Sequence, residues 1–299
     1  MKYFYYPGCS LEHSAKEYDV SARALMRLLG HELIEVDDWT CCGASAADTT
    51  SRLLSIVLPA RNLALAQKSG VRADMLVPCS SCYLNLRRAD DLISRDGLTA
   101  DLTNRVLKEE GLSYAGGIRV RHLLDVLAND IGAEAIAAGL KQSLSGLSVA
   151  PYYGCQALRP FSDFDDPEQP HSMDALIGAA GASVFDWSMA AKCCGAGLMT
   201  TKKELCLELV ADILGAAKGA DCIATVCPMC QMNLEISQKK ISRMRGKALE
   251  IAIVYLPQLL GYSLGLPRDG LRLDLNLALT GSFKDLLADM SKQVAVPGR

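Results

Sequence analysis

Apolar residues fall into short blocks of two kinds that alternate along the chain. Residues 2–7 (KYFYYP) are aromatic-rich and residues 33–36 (LIEV) end on a β-branched valine, so both predict short strands. Over residues 49–68, Leu53, Leu54, Val57, Leu58 and Leu65 recur near helical spacing, and Gly70 supplies a stop. Asp74–Val77 (DMLV) predicts a buried strand that Pro78 ends. The order then recurs: Tyr152 and Tyr153, SVFDW at 183–187, a helix over about 202–217, and CIATV at 222–226. Residues 118–127 predict a helix, and with the Ala- and Gly-rich 132–148 they link the two halves. Strands alternating with helices predict an α/β fold with small, largely parallel sheets flanked by helices.

Cysteine gives this pattern its chemistry. Ten of the twelve cysteines form two sets in the same order. Cys9 is followed after 31 residues by Cys41-Cys42, and after 36 more by Cys79-x-x-Cys82. Cys155 is followed after 37 residues by Cys193-Cys194, and after 32 more by Cys227-x-x-Cys230. The flanks repeat too: YYPGC and YYGC, CCGAS and CCGAG, CSSCYLNL and CPMCQMNL. Repetition on this scale predicts a duplicated domain, over 1–145 and 146–266, with 267–299 appended for packing or partner contact. Each cysteine element follows a predicted strand, and open α/β sheets gather ligands at strand carboxyl ends. Five thiols per half can therefore converge.

Composition narrows the setting. With 299 residues, half of them hydrophobic, and a net charge of −3, the chain reads as globular and without pull toward nucleic acid. Its N-terminus has no signal-peptide pattern, so a cytoplasmic location is expected, where clustered thiols are metal or redox ligands rather than staples. The apolar stretch 248–266 carries Glu250, Pro257 and Gln258 and falls short of a spanning helix. No Gly-rich phosphate motif follows a strand, so no nucleotide or flavin is expected on this chain.

Tetrahedral zinc could use a Cys-Cys pair with a CxxC, but it would leave Cys9 and Cys155 surplus. Iron–sulfur ligation uses thiolate-rich sets equally well, and an ordinary cubane would again leave one cysteine over in each half. Gly43, Gly154 and Gly195 beside the ligands suit close backbone approach to a bulky group.

The cysteine order and its flanks, with FDDPEQP at 164–170 and ADCIATVCPMC at 220–230, resemble the CCG (cysteine-rich) domain family and its heterodisulfide reductase (HdrB) members. That resemblance implies two noncubane 4Fe-4S clusters. One would take Cys9, Cys41, Cys42, Cys79 and Cys82, the other Cys155, Cys193, Cys194, Cys227 and Cys230. It also implies disulfide cleavage or formation between the clusters, with a ferredoxin-like HdrC-type chain and a flavin-bearing HdrA-type chain as partners. The family often has histidine where this chain has Gln156 and Gln231, and glutamine does not titrate. The sulfur substrate can therefore differ, with a lipoate-bound or other protein-borne disulfide as the expectation from bacterial Hdr-like complexes. Two other readings stand: an electron-transfer or anchor subunit of a succinate, glycolate or lactate dehydrogenase type, and a zinc-stabilised scaffold.

Among the remaining residues, His13 after Cys9 is the candidate proton donor. His122 reads as a satisfied core histidine, His31 and His171 as loop residues, and Cys206 and Cys222 as buried small hydrophobes. Arg87, Arg88, Lys239, Lys240, Arg243 and Arg245 follow the CxxC elements as solvated helix faces or as a positive rim for an anionic substrate or acidic partner.

Overall fold

The computed structural model describes residues 1–44 and 46–294. Strands β1 (Lys2–Tyr5), β2 (Glu32–Glu35), β3 (Asp74–Val77) and β4 (Val120–His122) form a parallel sheet in the order β2-β1-β3-β4. Strands β5 (Ser148–Tyr152), β6 (Ser183–Val184), β7 (Cys222–Thr225) and β8 (Ala252–Tyr255) repeat that arrangement as β6-β5-β7-β8. Parallel strands covered on both faces need apolar runs rather than alternation. Both β7 and β8 are buried at every position, and β3 at all but its first. Register sets the strand ends level, with Tyr5 beside Glu35 and Leu76, so the segments that follow leave from one edge of the sheet.

Three sequence expectations change. Residues 118–127 are not one helix: Val120–His122 is the fourth strand, paired with β3, and a short helix, Leu123–Asp125, begins only after it. The His122 ring accepts the Leu124 N–H at Nδ1 and starts that helix at the strand's end. The 49–68 helix is two, Ala46–Thr50 and Arg52–Lys68, because Ser51 is extended and its hydroxyl accepts the Leu54 N–H as an N-cap. Its buried face is Ile56, Ala60, Leu63 and Ala64, while Leu53 and Leu54 are exposed. In SVFDW only Ser183–Val184 is strand. The stretch weighed as a membrane span holds β8 and the helix Leu256–Ser263.

One hydrophobic core crosses between the halves, placing Tyr18, Leu25 and Tyr153 with Tyr255, Leu256 and Leu259. Helix Lys16–Leu28 of the first half packs on Leu256–Ser263 and on Arg268–Leu271. The tail then seats Phe283, Leu287 and Met290 in that core. Residues 295–299 of the tail lie outside the described residues.

Candidate functional site

Each cysteine set forms at the carboxyl edge of its sheet, from matching parts. In the first half Cys9 lies in the short helix Gly8–Glu12 after β1, Cys41-Cys42 lie in the loop after β2, and Cys79 follows β3 as the N-cap of helix Ser80–Arg95. The Sγ atoms of Cys42 and Cys82 lie 3.4 Å apart, and those of Cys41 and Cys9 lie 3.9 Å apart. In the second half Cys194 and Cys230 lie at 3.6 Å, and Cys227 is the N-cap of helix Pro228–Arg245. A thiol at a helix N-terminus gains from the dipole there, which favours thiolate. Three thiols of each set are buried, namely Cys42, Cys79 and Cys82, and Cys194, Cys227 and Cys230.

Bracing residues repeat as faithfully as the cysteines. The Tyr6 hydroxyl donates to the Thr40 carbonyl, and the Tyr152 hydroxyl to the Lys192 carbonyl, each at 2.6 Å and each just before the Cys-Cys pair. Asn85 donates to the carbonyls of Cys42 (3.4 Å) and Ala44 (3.1 Å), and Asn233 to that of Cys194 (2.7 Å). These four residues were not singled out from sequence, although the repeated YY and NL of the flanks are their signal. Of the three glycines expected at the ligands, only Gly154 meets a set: a Cβ there would lie 3.0 Å from Cys230 Sγ. Its counterpart is Gly8, where a Cβ would come 2.8 Å from Cys82 Sγ. Gly43 and Gly195 instead let their turns close onto Ala47 and onto Leu209 and Cys206. All four have positive φ, which a side chain would strain further.

The two sets meet where the halves meet. The Cys79 and Cys227 thiols act on each other in opposite senses: Cys79 is pushed well above the usual thiol range by Cys227, while Cys227 is held well below it by Cys230 and Cys79 and by the N–H groups of Cys230 and Met229. Cys193, bonded to Cys155 and to the Gly195 N–H at 3.3 Å, is lowered to about 6. A cavity of about 250 Å³ adjoins the second set. Its wall includes Ser80, Ser81, Gln156 and Met229, so the first half closes the second site. Ser81 donates to Gln156 and lies 3.5 Å from Met229 Sδ. No lining residue of this cavity carries a charged side chain apart from the thiols themselves. The first set opens instead on a broader hollow of about 550 Å³ bearing Glu12, Glu35, Asp37 and Asp38 beside Cys9 and Cys41.

His13 stands exposed at the end of Gly8–Glu12, outside the bonds that tie the thiols. His122 is fully buried and close to the sets, with Nε2 3.2 Å from Ser80 Oγ. Gln231 turns from the cysteines: it accepts from Thr225 and donates to Glu235 and to the Ile253 carbonyl. Cys222 lies inside β7. Cys206, also buried, touches the second site, sharing Asn233 with the Cys194 carbonyl. Half of the positive rim is neutralised, since Arg87 pairs with Asp163 and Asp91, Arg88 with Asp48, and Arg245 with Glu208. Lys239, Lys240 and Arg243 are exposed.

Among the described residues no group of three or more His, Cys, Asp or Glu side chains is arranged to hold one metal ion. The thiols approach in pairs around each sheet edge, and glycine leaves room beside Cys82 and Cys230. That donor set and cradle fit a multi-iron thiolate-bound group.

Fold and site together define a duplicated α/β protein with one thiol-rich site per copy. The CCG (cysteine-rich domain) family model matches residues 3–87 and 149–235, and the chain belongs to that family. It is 35% identical over 280 residues to the membrane anchor subunit of the 8-methylmenaquinol:fumarate reductase of Wolinella succinogenes, covering 92% of this chain and 96% of that one. It is 27% identical over 291 residues to the HdrB chain of the ferredoxin:CoB-CoM heterodisulfide reductase of Methanosarcina mazei, covering 95% and 96%. An HdrB-like heterodisulfide reductase protein of Archaeoglobus profundus is 29% identical, over 89% of this chain and 91% of that one. A crystal structure of a hypothetical protein from Helicobacter pylori shares the fold, with a TM-score of 0.76 at 16% identity. The match covers 94% of this chain but about half, 52%, of that one. No helix among the described residues is long and apolar enough to cross a membrane.

Proposed function

We propose that the chain is the thiol/disulfide-handling component of a multi-subunit oxidoreductase of the heterodisulfide reductase type. The carrying observation is the meeting of the two five-thiol sets at one cavity, where Ser80 and Ser81, between Cys79 and Cys82, form the wall facing Cys155, Cys193, Cys194, Cys227 and Cys230. Cys9, Cys41, Cys42, Cys79 and Cys82 would hold one noncubane 4Fe-4S cluster, and Cys155, Cys193, Cys194, Cys227 and Cys230 the other. Bound there, the clusters supply one electron each and an iron site for sulfur. The overall step is RS–SR′ + 2e⁻ + 2H⁺ → RSH + R′SH, with electrons from a ferredoxin-like partner chain fed by a flavin-bearing one. We place the protein on the cytoplasmic side, where its thiols stay reduced.

A second reading, an electron-transferring subunit without sulfur chemistry, is favoured by two observations. The cavity offers no titratable side chain besides thiols, and identity to the fumarate reductase anchor is 35%. Anaerobic purification with iron, sulfide and zinc counted per chain tests the shared premise. About eight irons are expected, and fewer than about five overturns two clusters. Dithionite-reduced protein mixed with lipoamide or a small disulfide then separates the readings: reoxidation with release of two thiols supports the first, and inert protein that still relays electrons supports the second.

A further inference from the structure

The halves are joined by two reciprocal aromatic stacks. Tyr18 of the first half lies on Tyr255, the last residue of β8, with ring centroids 4.1 Å apart and planes 7° from parallel. Phe164 of the second half lies on His122, the last residue of β4, at 6.1 Å and 9°. Tyr18 and Phe164 follow Cys9 and Cys155 at the same interval, so the stacks are duplicates exchanged across the interface.

A buried polar knot lies between them. The Tyr18 hydroxyl is 3.1 Å from the Pro78 carbonyl and 3.1 Å from the Val226 carbonyl, sharing one proton between two acceptors. Pro78 and Val226 are the residues before Cys79 and Cys227. Because His122 Nδ1 accepts the Leu124 N–H, its proton sits on Nε2 and faces Ser80 Oγ at 3.2 Å, and the Ser80 hydroxyl in turn reaches the Val226 carbonyl at 3.5 Å. Tyr18, Ser80 and His122 are all essentially inaccessible to solvent.

We infer that Tyr18 and His122 are positioning residues that lock the two CxxC turns together, so that the two thiol sets move and respond as one unit. This rests on the proposed two-cluster reading for its electronic consequence, but the mechanical coupling stands on the geometry alone. A first-half residue thereby governs the second-half turn.

Tyr18→Phe keeps the stack and removes only the shared hydroxyl; His122→Phe keeps the ring against Phe164 and removes the Nε2–H together with the Nδ1 acceptor of the Leu124 N–H, so Tyr18→Phe is the deciding variant. Hydrogen–deuterium exchange of the whole chain is expected to quicken about fivefold, as for loss of one buried hydrogen bond, at residues 80–86 and 229–236 together. Quickening confined to residues 16–28, or none, in Tyr18→Phe overturns the inference, with or without metal bound. In iron-loaded protein, the magnetic interaction between the two reduced centres should weaken in both variants at unchanged iron content. Variants with full iron and the native interaction spectrum also overturn it. Native chain lacking iron would instead defeat the two-cluster reading while the exchange result still decides the coupling.

Discussion

The two halves build their thiol sets with the same parts and then surround them differently. In the first half, helix Gly97–Leu107 follows the CxxC helix and packs on it and on Arg52–Lys68. The second half has no such helix: Pro228–Arg245 turns at Gly246 directly toward β8. Helix Arg52–Lys68 accordingly buries Ile56 and Ala60, whereas Lys203–Ala216 shows exposed Glu208 and Asp212, both near Arg245. The sites diverge in the same way, the first open and rimmed by carboxylates, the second narrow and uncharged. The cysteines and their braces match between the two copies, whereas their surroundings differ. Access, then, is what distinguishes the sites.

The largest expected effect breaks one site at a time. Cys42→Ala and Cys194→Ala should each lose about half of the iron, with one spectroscopic centre vanishing and the other retained but free of its magnetic interaction with the first. Loss of both centres from either variant would mean that the sites do not assemble separately.

A second comparison sets His122 of the first half against Glu235 of the second. Burial lowers His122 from 6.5 to about 4, so between those values the unfolded chain binds more protons and stability falls on acidification. Burial raises Glu235 from 4.5 to about 7, so over that window the folded chain binds more protons and stability falls as pH rises. Each term is on the order of 3 kcal/mol, and across about pH 4.5–6.5 they oppose. Glu235→Gln keeps an oxygen for the Gln231, Leu277 and Ala278 donors and should remove the alkaline loss. Denaturant midpoints at pH 5 to 8 check this, and a wild-type slope in Glu235→Gln would refute it.

The smallest effect sharpens the likeness of the braces. Asn233→Ala should cost about 2 kcal/mol and Asn85→Ala about 1, because Asn233 is buried with a 2.7 Å bond while Asn85 is half-buried with longer ones. Melting of the metal-free chain measures both, and equal losses would count against burial as the cause.

The duplication and all three cysteine elements of each half were legible because cysteines and flanks recur in order, and β1, β3 and β7 because each carries a run of three buried hydrophobic residues, as parallel strands covered on both faces do. The fourth strands were not. Val120–His122 has three residues and carries Arg121 and His122, whose burial depends on Asp125, Asp130 and Ser80, partners that strand patterning does not reveal. Ala252–Tyr255 runs without a break into an apolar helix. Leu53 and Leu54 misplaced the helical face because the Ser51 cap, not the leucine spacing, sets where Arg52–Lys68 begins. The Tyr18 and Phe164 stacks join residues of opposite halves, and no local periodicity encodes such pairs.

Ser80 and Ser81 have a consequence for biogenesis. Since they wall the cavity beside Cys194 and Cys230, a chain synthesised from its N-terminus makes that wall before the thiols it will enclose. The second pocket is therefore walled only once the two copies have joined, and the C-terminal copy by itself does not carry its complete lining.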